Sequence, residues 1–127
     1  MKDCAVQLTN KPGDLSRVAE ALARRNVNIK ALAAVSVDGA SIAHILPDDI
    51  VVARSAFEAA HVRFIESEVN LVLLENKAGV LANMTQRLGD AGVNLQALYV
   101  TGIADDLVEL AIVSDNPKKT KKIIEEF

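Results

Sequence analysis

Apolar and polar residues change period along this chain in a set order, and the order occurs twice. Cys4, Val6 and Leu8 alternate with Ala5, Gln7 and Thr9, which predicts a strand with one strongly apolar face. After Asn10-Lys11-Pro12-Gly13, the residues Leu15, Val18 and Leu22 recur at helical spacing, and Pro12 suits a first turn. Alternation returns at Ile29, Ala31, Ala33, Val35 and Val37, and Asp38-Gly39 predicts a hairpin into a strand over 41–46. Pro47-Asp48-Asp49 opens a second helix carrying Val51, Ala56 and Ala60, and 62–65 gives a fourth strand. The order then restarts. A strand over 69–74 precedes a helix with Leu81, Met84 and Leu88, strands over 95–103 and 107–113 flank a turn at 104–106, and a helix covers 117–126.

Residues 10–32 align without gaps on residues 76–98, at an offset of 66, and nine of these 23 positions are identical. Ordinary composition would give roughly one or two matches, so the chain is read as an internal duplication. The expected domains are 1–66 and 67–127. The order β-α-β-β-α-β, with helices on one face of an antiparallel sheet, is ferredoxin-like. The predicted fold is therefore α+β, with two tandem ferredoxin-like repeats, the second lacking its last strand. The first strand of that second repeat would lie beside the missing one and needs another partner, from a continuous sheet with the first repeat or from a dimer. Since Val69, Leu71 and Leu73 are apolar as well as Val72 and Leu74, this strand is expected to be covered on both faces, by another sheet or subunit.

Composition narrows the function classes. Of 127 residues, 50% are hydrophobic and 24% charged, a globular profile, and no apolar run approaches the roughly 18 residues of a spanning helix. Met1-Lys2-Asp3-Cys4 does not resemble the start of a signal peptide, so a cytoplasmic protein is expected, without membrane contact. Fourteen basic against seventeen acidic residues give a net charge of −3, a poor footprint for nucleic acid. Lys118, Lys119, Lys121 and Lys122 read as a solvated helix face followed by Glu125 and Glu126. Phe57, Phe64, Tyr99 and Phe127 are too scattered for base stacking. Cys4 reads as a small buried hydrophobe. His44 and His61, on a predicted strand and helix, have no partner at metal-ligand spacing, and neither a nucleophile elbow nor a P-loop occurs. No catalytic residue, metal or cofactor is expected, and the chain is read as a non-enzyme.

Binding chemistry is supplied in both repeats. A strand running into a helix that opens at glycine leaves the first helical amides unpaired at the positive end of the dipole, where they attract a carboxylate. The candidate amides are Gly79, Val80 and Leu81 in the second repeat and Gly13, Asp14 and Leu15 in the first. Asn76 and Asn94, with Asn10 and Asn28 as their counterparts, could project toward the same turn or toward a neighbour's turn across an interface. An amide side chain can hold an ammonium through its oxygen or a hydroxyl through either atom. Asparagine before a glycine turn can equally bond its own backbone, and the glycine can serve the turn alone. Asp14 would repel an anion where the second repeat has Val80, so the second turn is the expected stronger seat.

The run Glu75-Asn76-Lys77-Ala78-Gly79-Val80-Leu81, together with Gly92-Val93-Asn94-Leu95, resembles the ACT domain, the small regulatory module of amino-acid metabolism. It is similar in particular to the form at the C-terminus of phosphoglycerate dehydrogenase, and the whole chain resembles free-standing tandem ACT proteins. The resemblance implies a small amino-acid effector bound where domains pair, touching the turn amides and Asn76 and Asn94, with Asn10 and Asn28 equivalent. It also implies a non-catalytic regulatory role, a homodimer and a regulated enzyme or other protein partner. Leu74 and Leu8 stand where serine-binding members carry a histidine. The competing expectation is a stand-alone interaction module without a small-molecule ligand.

Overall fold

The computed structural model describes residues 1–127 and divides into two compact units, Met1–Ser67 and Glu68–Phe127. In the first, β1 (Lys2–Leu8), α1 (Asp14–Ala23), β2 (Ile29–Val37), β3 (Ala40–Pro47), α2 (Ile50–Ala59) and β4 (Phe64–Glu68) follow one another. The second has β5 (Asn70–Glu75), α3 (Val80–Asp90), β6 (Leu95–Ala104), β7 (Leu107–Ser114) and α4 (Pro117–Ile124). The fold is α+β with two ferredoxin-like repeats, as the alternating periods predict. No helix is long and apolar enough to cross a membrane.

The sheet of the first unit has the order β2-β3-β1-β4. Antiparallel pairing of β3 with both β1 and β2 makes β1 and β2 parallel to each other. Leu8 lies opposite Ser41, and Ser41 opposite Ser36. The two-residue turn Asp38-Gly39, with φ of +51° and +82°, sets that register. Cys4, Val6, Ala43 and Ile45 form the apolar sheet face under Val18 and Leu22 of α1 and Ala53, Ala56 and Phe57 of α2. Burying a side chain such as Leu22 or Phe57 contributes roughly 1.5–3 kcal/mol. The buried stripe of α2 differs from the predicted one: Val51 is 65% exposed. Asp49 caps this helix by accepting the Val52 N–H at 3.1 Å, and that start turns Ala53, Ala56 and Phe57 inward, at i, i+3 and i+4.

The second unit repeats this plan with a three-stranded sheet, β5-β7-β6. Val72, Leu74, Leu110 and Ile112 meet Met84 and Leu88 of α3 and Ile124 of α4. Asn116 caps α4 by accepting the Lys119 N–H at 3.1 Å, with Pro117 in the first turn. Within this unit β5 pairs with β7. Within this chain Leu71 and Leu73 are 38% and 56% exposed. Their apolar character does not report burial within this chain. Where the first unit places Cys4, the second has Asn70, since Cys4 pairs with Ile45 and Asn70 with Ile112. Cys4 is fully buried, and burial, with Asp3 and Glu66 adding to it, pushes its thiol up to about 12. The Asn70 Oδ1 is buried without a hydrogen-bond partner.

Candidate functional site at the two strand-to-helix turns

On the main chain the two turns are built alike. Gly13 and Gly79 stand immediately before α1 and α3 at φ of +86° and +91°. No atom lies within 4 Å of a Cβ added at either position, so the left-handed backbone and not lack of space calls for glycine. The Asp14 N–H donates to the Lys11 carbonyl at 3.2 Å, and the Val80 N–H to the Lys77 carbonyl at 3.4 Å. Of the three candidate amides in each turn, the middle one is thus engaged. Those of Gly13 and Leu15, and of Gly79 and Leu81, have no backbone acceptor, and they lie at the positive ends of their helices.

Side chains set the turns apart. One oxygen of Asp14 accepts the Thr9 N–H at 2.6 Å, and the other faces the Arg17 guanidinium at 3.1 Å. The Thr9 N–H first, and then Arg17, hold the Asp14 carboxyl below the ordinary carboxylate range. Its charge is directed toward these two donors, which blunts the repulsion of an anion expected from Asp14. In the second turn Val80 packs on the core, the Asn76 N–H donates to the Asp106 carbonyl at 2.6 Å, and Lys77 pairs with Glu75 at 2.9 Å.

Asn10 takes a left-handed conformation, φ +57°, and its Oδ1 accepts a hydrogen bond from Ser36 Oγ at 3.0 Å. Ser36 Oγ in turn accepts from Ser41 Oγ at 2.9 Å. Against this turn lies a cavity of about 310 Å³, walled by Leu8, Pro12 and Leu15 and edged by Asn10, Lys11, Asp14 and Ser41. Ser36 and Ser41 are absent from the residues singled out by sequence. A signal for them existed: a two-residue turn at Asp38-Gly39 pairs residue 37 with 40 and therefore Ser36 with Ser41, beside the end of β1.

The asparagines of each repeat do not converge. Asn28 precedes β2, where its N–H donates to Asp48 Oδ1 at 3.1 Å and its carbonyl accepts the Asp48 N–H at 3.0 Å. Asn94 is held the same way by Asp115, at 3.0 and 3.1 Å. Because β1 and β2 are parallel, Asn10 follows the end of one while Asn28 precedes the start of the other, at opposite ends of the sheet. The same holds for Asn76 and Asn94. This register removes the alternative in which both asparagines of a repeat face one turn. Elsewhere, His44 Nδ1 lies 3.0 Å from Asp3 Oδ2, and His61 stands past the end of α2 at φ +57°, not inside the helix.

No curated protein matches this chain in sequence. Among solved structures it is similar to protein BT0572 from Bacteroides thetaiotaomicron, with 26% identity, 98% of this chain and 86% of that chain covered, and a TM-score of 0.85. The regulatory subunit of aspartate kinase from Thermus thermophilus shares the fold at 15% identity, covering 98% of this chain and 91% of that one with a TM-score of 0.70. Its counterpart from Thermus flavus gives 15%, 98%, 90% and 0.69. Residues 5–60 match the model of the AHAS small subunit-like ACT domain. That match lies within the first unit, and the second unit repeats the same fold, so the chain resembles a tandem pair of ACT domains.

Proposed function

We propose that this chain is a cytoplasmic, non-catalytic sensor that binds a free amino acid at its strand-to-helix turns, the first turn above all. The observation that carries this reading is the cavity beside Asn10 and Leu15, where an unengaged main-chain N–H, polar side chains and apolar walls meet. Small-molecule sites combine apolar walls with a few placed polar groups in this way. The preference for the first turn reverses the sequence-based ranking, which rested on the Asp14 charge that Thr9 and Arg17 compensate. The second turn keeps the amides of Gly79 and Leu81 as a further seat. Asn28 and Asn94, remote from their own turns, are assigned to the turns of a second copy in a homodimer.

A ligand changes an assembly only through unequal affinity for its states, and that inequality would be the signal read by a partner enzyme. The likeness to an aspartate kinase regulatory subunit supports such a division between sensor and enzyme. A thermal-shift panel of the twenty L-amino acids tests the reading. A ligand at about 100 times its dissociation constant stabilises the folded state by roughly 2.7 kcal/mol. A flat panel at millimolar concentration would favour the second reading, an interaction module, for which the exposed Val35, Val37, Ile42 and Ile65 supply apolar surface.

A further inference from the structure

We infer that Ser41 and Ser36 are positioning residues that orient the Asn10 amide, so that its Nδ2 donates to the carboxylate of the ligand. This rests on the amino-acid-binding reading above. A serine hydroxyl has one proton to give. The buried Ser41 gives it to Ser36 at 2.9 Å, and Ser36 gives its own to Asn10 Oδ1 at 3.0 Å. One lone pair of the amide oxygen is then taken by Ser36, and the Asn10 Nδ2 keeps its two hydrogens for an acceptor such as a carboxylate. An ammonium carries only donors and has nothing to offer that nitrogen. From sequence, the asparagine could have served either group.

The second repeat lacks the device. The register that places Ser41 opposite Leu8 and Ser36 opposite Ser41 places Val108 opposite Leu74 and Ile103 opposite Val108. Neither residue carries a hydroxyl, so no such chain orients the Asn76 amide. The difference between repeats is one of selectivity as well as affinity.

The test is titration calorimetry on the full chain with the twenty L-amino acids and their α-carboxamides. Ser36→Ala should weaken the amino acid that binds by about ten-fold, the size of a hydrogen bond to a charged group. Ser36→Thr, which keeps the hydroxyl, should stay within about two-fold of the parent. The matching α-carboxamide, whose neutral oxygen is a weaker acceptor, should bind more weakly and lose less from Ser36→Ala. Ser41→Ala, one link further back, should show the same selectivity with a smaller loss. Unchanged amino-acid binding in both alanine variants, or equal loss of acid and carboxamide, would overturn the inference while leaving the sensor reading intact. Absence of binding by every amino acid to the parent chain would overturn both.

Discussion

The two strand-to-helix turns share a backbone and differ in what surrounds it. Gly13 and Gly79 take nearly the same left-handed conformation, and each turn engages its middle amide in the same way. Around that common frame, the first turn has a hydroxyl chain on Asn10, a compensated carboxylate at Asp14 and a cavity. The second has Val80 packed on the core and Ile103 and Val108 in place of the serines. Backbone geometry alone therefore does not tell the two turns apart. The side chains brought in from the neighbouring hairpin do.

Placing a carboxylate at each turn should separate them most strongly. Asn10→Asp keeps the acceptor for Ser36 but sets a negative charge where the ligand's carboxylate would lie. Like charges at such a distance cost several kcal/mol, so amino-acid affinity by calorimetry should fall by more than about thirty-fold. Asn76→Asp should leave the same titration within about two-fold. Equal losses would erase the distinction drawn here.

The glycines probe what the turns have in common. Gly13→Ala and Gly79→Ala each force an L side chain into the left-handed region, which costs about 1–2 kcal/mol. Denaturant unfolding should show similar penalties for both. A penalty at one turn only would mean that the shared backbone conformation is not equally required.

A third comparison lies at the first strand of each repeat. Cys4 is buried as a small apolar group, whereas Asn70 buries an amide oxygen without a partner. Asn70→Cys copies the first repeat and should stabilise the second unit by about 1 kcal/mol, read from its denaturation midpoint. A loss of stability would show that the amide has a favourable role.

The smallest effect is electrostatic. A carboxyl whose folded value is depressed, as at Asp14, adds stability that is complete above the ordinary range and is lost as pH falls through the lowered value. The first unit should therefore lose part of its stability below about pH 4. Asp14→Asn should flatten that acid slope, and changes at Val80 should not mimic it. A slope unchanged in Asp14→Asn would remove Asp14 from the account.

The repeat made most of the fold readable from residue types alone. Alternation at Cys4, Val6 and Leu8 and helical spacing at Leu15, Val18 and Leu22 report burial directly, and the structure buries Cys4, Val6, Val18 and Leu22. Val51 misled because an apolar residue in the first helical turn is assigned to a face only once the cap at Asp49 is known. Leu71 and Leu73 are exposed within this chain, since apolar character says that a surface favours cover, not that the same chain supplies it. At the candidate site, the turn glycines and Asn10 were legible because they sit in a local motif. The hydroxyl chain depends on a strand register 26 residues away, from Asn10 to Ser36, and the separation of Asn10 from Asn28 depends on parallel strands. Both follow from long-range pairing, which residue spacing within one segment does not express.

The most direct measurement is a two-dimensional amide NMR titration of the full chain with the amino acid selected by thermal shift. The account predicts saturable shifts of the Gly13 and Leu15 main-chain signals and of the Asn10 side-chain NH₂, larger than those of Gly79, Leu81 and Asn76. Saturation with those six groups unmoved, or with the second set moving alone, would contradict it.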